Sequence, residues 1–170
     1  HDETAWHVLE SLTTEVGPRV AGSEADARAV TWMVAKFKAL GFDKVWTEPV
    51  TFPKWVRRSE SAAIVGASAQ PLHVTALGGS AGGIATGEIV RFATLAELEA
   101  APAGSLTGKI AFLDYRMERM KDGSGYGPGS RCRSRGPSAA IRAGASAYLM
   151  RSVGTDDHRN PHTGMTRYDE

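Results

Sequence analysis

The chain has 170 residues, 42% hydrophobic and 23% charged, a composition that fits a folded protein and excludes a disordered one. Twenty Lys and Arg face nineteen Asp and Glu, a formal charge of +1, so a protein that coats nucleic acid through net charge is excluded. No apolar run reaches the roughly eighteen residues of a membrane span. The single cysteine, Cys132, excludes an intrachain disulfide and a cysteine-built zinc site.

The first residue is His1, so a processed chain, or one cut from something longer, is expected. Residues 4–16 read as a helix, with Trp6, Leu9, Leu12 and Val16 at helical spacing and Gly17-Pro18 as its stop. A second helix starts at Ser23, a good N-cap with Asp26 three residues on. Val30, Met33, Val34, Phe37 and Leu40 form its apolar stripe, and Gly41 ends it. Residues 44–50 (KVWTEPV) alternate like a strand, and 51–58 continue extended past Pro53. Short strands are expected at 61–66, 72–77, 88–92 and 109–115, with a small Thr-capped helix at 94–100. Residues 116–135 read as a glycine-rich basic loop. Gly136-Pro137 then opens a helix closed by Gly144, and 145–153 form a buried strand. The rest is polar and irregular. A composition shift at 61–66 divides a helix–helix–strand piece from a β-rich α+β module.

Each cluster with chemical potential is incomplete. His158 and His162 lie four apart in HRNPH, a metal-binding spacing on a helix, but Pro161 interrupts it and only Asp156 and Asp157 stand nearby as further donors. The GGSAGG stretch at 78–83 lacks the Lys-Ser/Thr of a phosphate loop and reads as a turn. Residues 116–135 carry Arg116, Arg119, Lys121, Arg131, Arg133 and Arg135, with Tyr115 and Tyr126 able to stack on a base. They read as a solvated loop, with an anion-binding or docking surface as the alternative. Arg131 and Arg133 flank Cys132 and favour its thiolate, but no partner His accompanies it. There is no Gly-x-Ser-x-Gly elbow and no acid–base pair of carboxylates. No complete catalytic machine is visible in these residues.

Several segments, in order, resemble the amino-terminal part of M28-family zinc peptidases of the carboxypeptidase Q type. They are GPRVAGS (17–23), VTWMVAKFKALGF (30–42), PKWVRRSES (53–61), LTGKIAFLD (106–114), RSRGPSAAIRAGASAYLMRSV (133–153) and PHTGMTRYDE (161–170). The resemblance implies an α/β (α+β) fold in two parts. Residues 1–60 would be the opening helices and first strand of the catalytic domain. Residues 61–170 would be an inserted, β-rich protease-associated domain, truncated at its C-terminal end.

It further implies a secreted or periplasmic exopeptidase acting on small peptides, holding two zinc ions in the complete enzyme and resembling a homodimer. The family's zinc ligands and general-base glutamate belong to a later His-x-Asp segment that this sequence lacks. The chain is therefore expected to supply neither catalytic residues nor metal ligands, to hold no zinc alone, and to be inactive alone. The remainder of the catalytic domain is its expected partner, with no nucleic acid and no membrane span. The polar tail is expected to face the substrate cleft through His162, Thr163, Arg167 and Tyr168, which can donate hydrogen bonds to a peptide carboxylate. The rival readings are a stand-alone protease-associated-like module that binds peptides or proteins without catalysis, and an anion-binding domain using 116–135.

Overall fold

The computed structural model describes every residue except His1, Asp157 and Glu170. The chain forms two compact units, His1–Lys54 and Trp55–Glu170.

The first unit is helical. Helix α1 (Thr4–Ser11) runs directly into a π-helical turn (Leu12–Val16), and Val16 is buried. Helix α2 (Glu24–Ala39) starts as its sequence predicts. Ser23 Oγ accepts from the Asp26 N–H at 3.1 Å, and Asp26 Oδ2 accepts from the Gly22 N–H at 2.8 Å. Lys36 and Lys38 sit in the last turn, where the helix dipole favours positive charge. Gly41, at φ +83°, supplies the left-handed residue past the end. Trp32 Nε1 donates to Ser11 Oγ at 3.1 Å and ties α2 to α1. No residue of α2 is fully buried; Val30, Phe37 and Leu40 of its stripe are exposed, as are Trp6 and Trp46. Residues 44–50, expected as a strand, form none. A strand is defined by its ladder, and among the described residues of this unit there is no partner strand.

The second unit is α/β. A two-stranded antiparallel ribbon joins β1 (Ala62–Ile64) to β2 (Gln70–Leu72). The strand expected at 72–77 thus ends at Leu72, where its pairing with β1 ends. A three-stranded parallel sheet follows in sequential order: β3 (Ile89–Phe92), β4 (Ile110–Leu113) and β5 (Ala147–Met150). Parallel neighbours need crossovers, which carry helix α3 (Leu95–Glu99) and helix α4 (Tyr126–Arg142). Thr94 caps α3 by accepting from the Glu97 N–H at 3.2 Å. The core lies between helices and sheet, with Leu98, Leu106, Ala111, Ala139, Ala140 and Ala143 buried and Val90, Phe92 and Tyr148 packed against them.

Helix α4 is the main departure from the sequence reading. It begins at Tyr126, so half of the expected basic loop is helical and Pro137 lies inside the helix instead of opening it. Two glycines of this helix are packing sites: Gly129, from the expected loop, and Gly136, expected to open the helix. A Cβ on Gly129 would stand 2.7 Å from Val153 Cγ1, and one on Gly136 would fall on the Tyr148 hydroxyl. Tyr148 Oη donates to Cys132 O at 2.9 Å across this contact.

At the C-terminal end of the sheet, Asp114 is buried beneath two arginines. Its Oδ2 accepts from Arg91 Nε at 2.8 Å and its Oδ1 from Arg151 Nε at 2.6 Å. Burial pushes this carboxyl up, but the hydrogen bonds and charges of Arg151 and Arg91 outweigh it and hold it below its ordinary 3.8.

Two outcomes are expected. Gly136→Ala should destabilise the second unit by about 1–3 kcal/mol, the cost of forcing a side chain into a filled contact, read from urea unfolding. The depressed carboxyl of Asp114 stabilises the fold above the ordinary value and loses that contribution as pH falls through its folded value. Asp114→Asn should therefore cost about 1–2 kcal/mol at neutral pH, one arginine being more than half exposed. It should also flatten the loss of stability below about pH 4.

Candidate functional site

The polar tail after β5 returns to the body of the second unit through backbone and side-chain bonds. His162 N–H donates to Ser152 Oγ at 3.0 Å, and Asp169 N–H to Ser138 Oγ at 3.0 Å. Between them the tail docks on Gly78. Gly78 N–H donates to Gly164 O at 2.8 Å, and Thr166 N–H donates to Gly78 O at 2.8 Å. Thr166 is buried, and its hydroxyl donates to Gly78 O at 3.0 Å. A Cβ on Gly78 would collide with Met165 Sδ, so the GGSAGG stretch owes its first glycine to this docking.

The docked tail closes one side of a cavity of about 500 Å³, whose walls include Tyr148 and Met150 of β5, His73, Ser80, His162 and Tyr168. Of the four tail residues expected at a cleft, His162 and Tyr168 line this cavity. Thr163 and Arg167 do not. His162 Nε2 lies 3.1 Å from Tyr126 Oη, with the two rings edge to face. Arg133 Nη2 donates to that phenol oxygen at 3.2 Å and to Ser130 Oγ at 3.2 Å. Gly164 leaves room for the Arg133 guanidinium, which a Cβ there would strike. Thr163 Oγ1 accepts from Arg57 Nη2 at 2.8 Å. Arg167 is exposed.

Tyr126 and Arg133 were legible in the sequence only as parts of a basic loop. Their placement on one helix, seven residues apart, brings both to the tail. Arg57 stood in the PKWVRRSES stretch of the family resemblance, but nothing local to that extended stretch marked it as a contact of the tail.

Cys132 is 1% exposed and its Sγ lies 3.5 Å from Pro128 O. Burial pushes its thiol up, so the flanking arginines do not make it a reactive thiolate. Burial also pushes the Tyr148 phenol up, with Cys132 adding to the effect. Among the described residues, no group of three or more His, Cys, Asp and Glu converges on a point that could hold a metal. His158 Nδ1 lies 3.4 Å from Asp156 Oδ1, while His162 faces Tyr126. Asp157, the remaining donor of that stretch, lies outside the described residues. The described donors do not fit a zinc centre. No described helix is long and apolar enough to cross a membrane.

No family model matches the chain. Human carboxypeptidase Q is 31% identical over 170 residues, covering 98% of this chain and 34% of that protein. Carboxypeptidase Q of Xenopus laevis is 32% identical over 168 residues, covering 97% of this chain and 34% of that protein. The chain spans about a third of the length of these curated relatives. The crystal structure of a peptidase M28 precursor from Shewanella amazonensis matches with a TM-score of 0.85 and 52% identity, over 99% of this chain and 39% of that one. Similarity along nearly the whole chain, carried by sequence and backbone alike, makes this an M28-family segment of the carboxypeptidase Q-like type.

Proposed function

We propose that the chain is the structural and substrate-facing portion of a zinc exopeptidase that hydrolyses small peptides outside the cytoplasm. The observation that carries this reading is the 31% identity to human carboxypeptidase Q over 98% of the chain. The relatives' other two thirds leave room for the two zinc ions, their ligands and the catalytic glutamate.

In this reading residues 1–60 open the catalytic domain and 61–170 form a protease-associated domain; the compact units divide six residues earlier, at Lys54 and Trp55. The exposed apolar residues of α2, Val30, Phe37 and Leu40, are then the surface on which the rest of the catalytic domain packs. At about 25 cal/mol per Å² of apolar area, covering such a stripe contributes several kcal/mol. The enzyme is a homodimer in this reading.

The tail serves substrate binding. His162 and Tyr168 line the cavity wall, and Thr163 and Arg167 lie beside them in sequence. An arginine recognises a peptide carboxylate through paired charged hydrogen bonds. Hydroxyl and imidazole groups fix the orientation of the main chain.

Two measurements test the reading. Zinc content and dipeptide hydrolysis should both be found in the longer gene product and be missing from the 170-residue chain; robust turnover by the short chain overturns it. In the longer product, His162→Ala and Arg167→Ala should each lower kcat/KM by about tenfold, the worth of one lost hydrogen bond to a charged group. Unchanged kinetics in both would remove the tail from the substrate site.

A further inference from the structure

Residues 55–60 gather two separate segments of the second unit, 75–80 and the tail. Trp55 Nε1 donates to Ser80 O at 2.9 Å. Arg57 donates to Ala76 O from Nε at 3.1 Å and from Nη2 at 2.7 Å, and the same Nη2 donates to Thr163 Oγ1 at 2.8 Å. The guanidinium carbon lies 5.0 Å from the Trp55 ring centre, a cation–π contact. Arg57 Nε also stands 3.5 Å from Glu60 Oε1, and that oxygen accepts from the Thr75 hydroxyl at 3.1 Å.

The stacking and the ion pair fix the plane of the guanidinium, and the fixed plane aims its two edges. One edge holds the 75–80 segment and the other reaches the tail. A planar fork with five N–H groups can do this; a lysine ammonium, a point charge on a flexible stem, cannot hold the same geometry. Thr163 lies between His162, on the cavity wall, and Gly164, whose carbonyl is bonded to Gly78. Arg57 does not itself line the cavity.

We propose that Arg57 is a positioning residue. Through Thr163 it holds the 161–168 segment in place and so sets His162 and Tyr168 against the cavity that receives the peptide substrate. The inference rests on the peptidase reading above. It assigns Thr163 a bracing role in which its oxygen serves Arg57, in place of contact with the substrate.

The test uses the longer gene product and reads kcat, KM and amide hydrogen exchange over residues 161–168. Arg57→Ala should raise KM about tenfold, the value of one hydrogen bond to a charged group, with kcat within about twofold and faster exchange in 161–168. Thr163→Val should shift KM and exchange in the same direction by a smaller factor, and the double variant should be no worse than Arg57→Ala alone. Arg57→Lys should restore thermal stability without restoring KM. A folded Arg57→Ala with unchanged KM, or with lowered stability as its sole change, overturns the inference. Additive effects of the two substitutions overturn it too, because they mean that Thr163 meets substrate independently of Arg57. If Arg57→Ala does not fold, unchanged KM and exchange in Thr163→Val overturn it. An unsubstituted protein without turnover overturns the peptidase reading and this inference with it, a result distinct from a normal parent enzyme with silent variants.

Discussion

A helix comes close to a sheet only where side chains between them are missing. In the second unit Gly129 and Gly136 of α4 provide that absence, and Val153 and the ring of Tyr148 fill it. The approach brings Ala139 and Ala140 of the same helix, with Ala143 just past its end, into one core with Leu98, Leu106 and Ala111. Interiors packed to crystal-like density leave no slack for another arrangement. The same seating fixes where the start of α4 points, and therefore where Tyr126 and Arg133 stand when the tail folds back on them.

The tail depends on this frame and has little order of its own to offer. It is polar and too short for a core. Its position comes from bonds to parts far away in sequence: Gly78, Ser138, Ser152, Tyr126 and Arg57. Each bond is worth about 1 kcal/mol net, enough together to outweigh the entropy of ordering a short segment only because their partners are already rigid. Asp114 performs a related service at the sheet's C-terminal end, joining Arg91 of β3 and Arg151 just past β5 through one buried carboxylate.

The first unit shows the opposite balance. Its helices are specified locally by caps, terminal charges and a glycine stop, yet the apolar stripe of α2 is left largely uncovered. Helix stability in proteins comes mainly from packing an apolar face rather than from propensity. The stripe of Val30, Phe37 and Leu40 remains exposed, and the curated relatives are about three times the length of this chain.

Local signals were readable from the sequence alone. The Ser23 cap with Asp26, the Thr94 cap, the Gly41 stop and the apolar strands at Ile89–Phe92 and Ile110–Leu113 all depend on neighbours a few residues away. The ordered set of segments that pointed to the M28 family was legible for the same reason: it is a property of the string. Tertiary structure alone decided three further matters. Residues 44–50 are no strand, because a ladder needs a partner that periodicity cannot supply. Residues 126–136 are helix despite three glycines, because packing of Gly129 against Val153 and of Gly136 against Tyr148 overrides the glycine penalty of about 1 kcal/mol each. The reach of Arg57 to Thr163, across 106 residues, has no trace in the sequence because nothing local requires it.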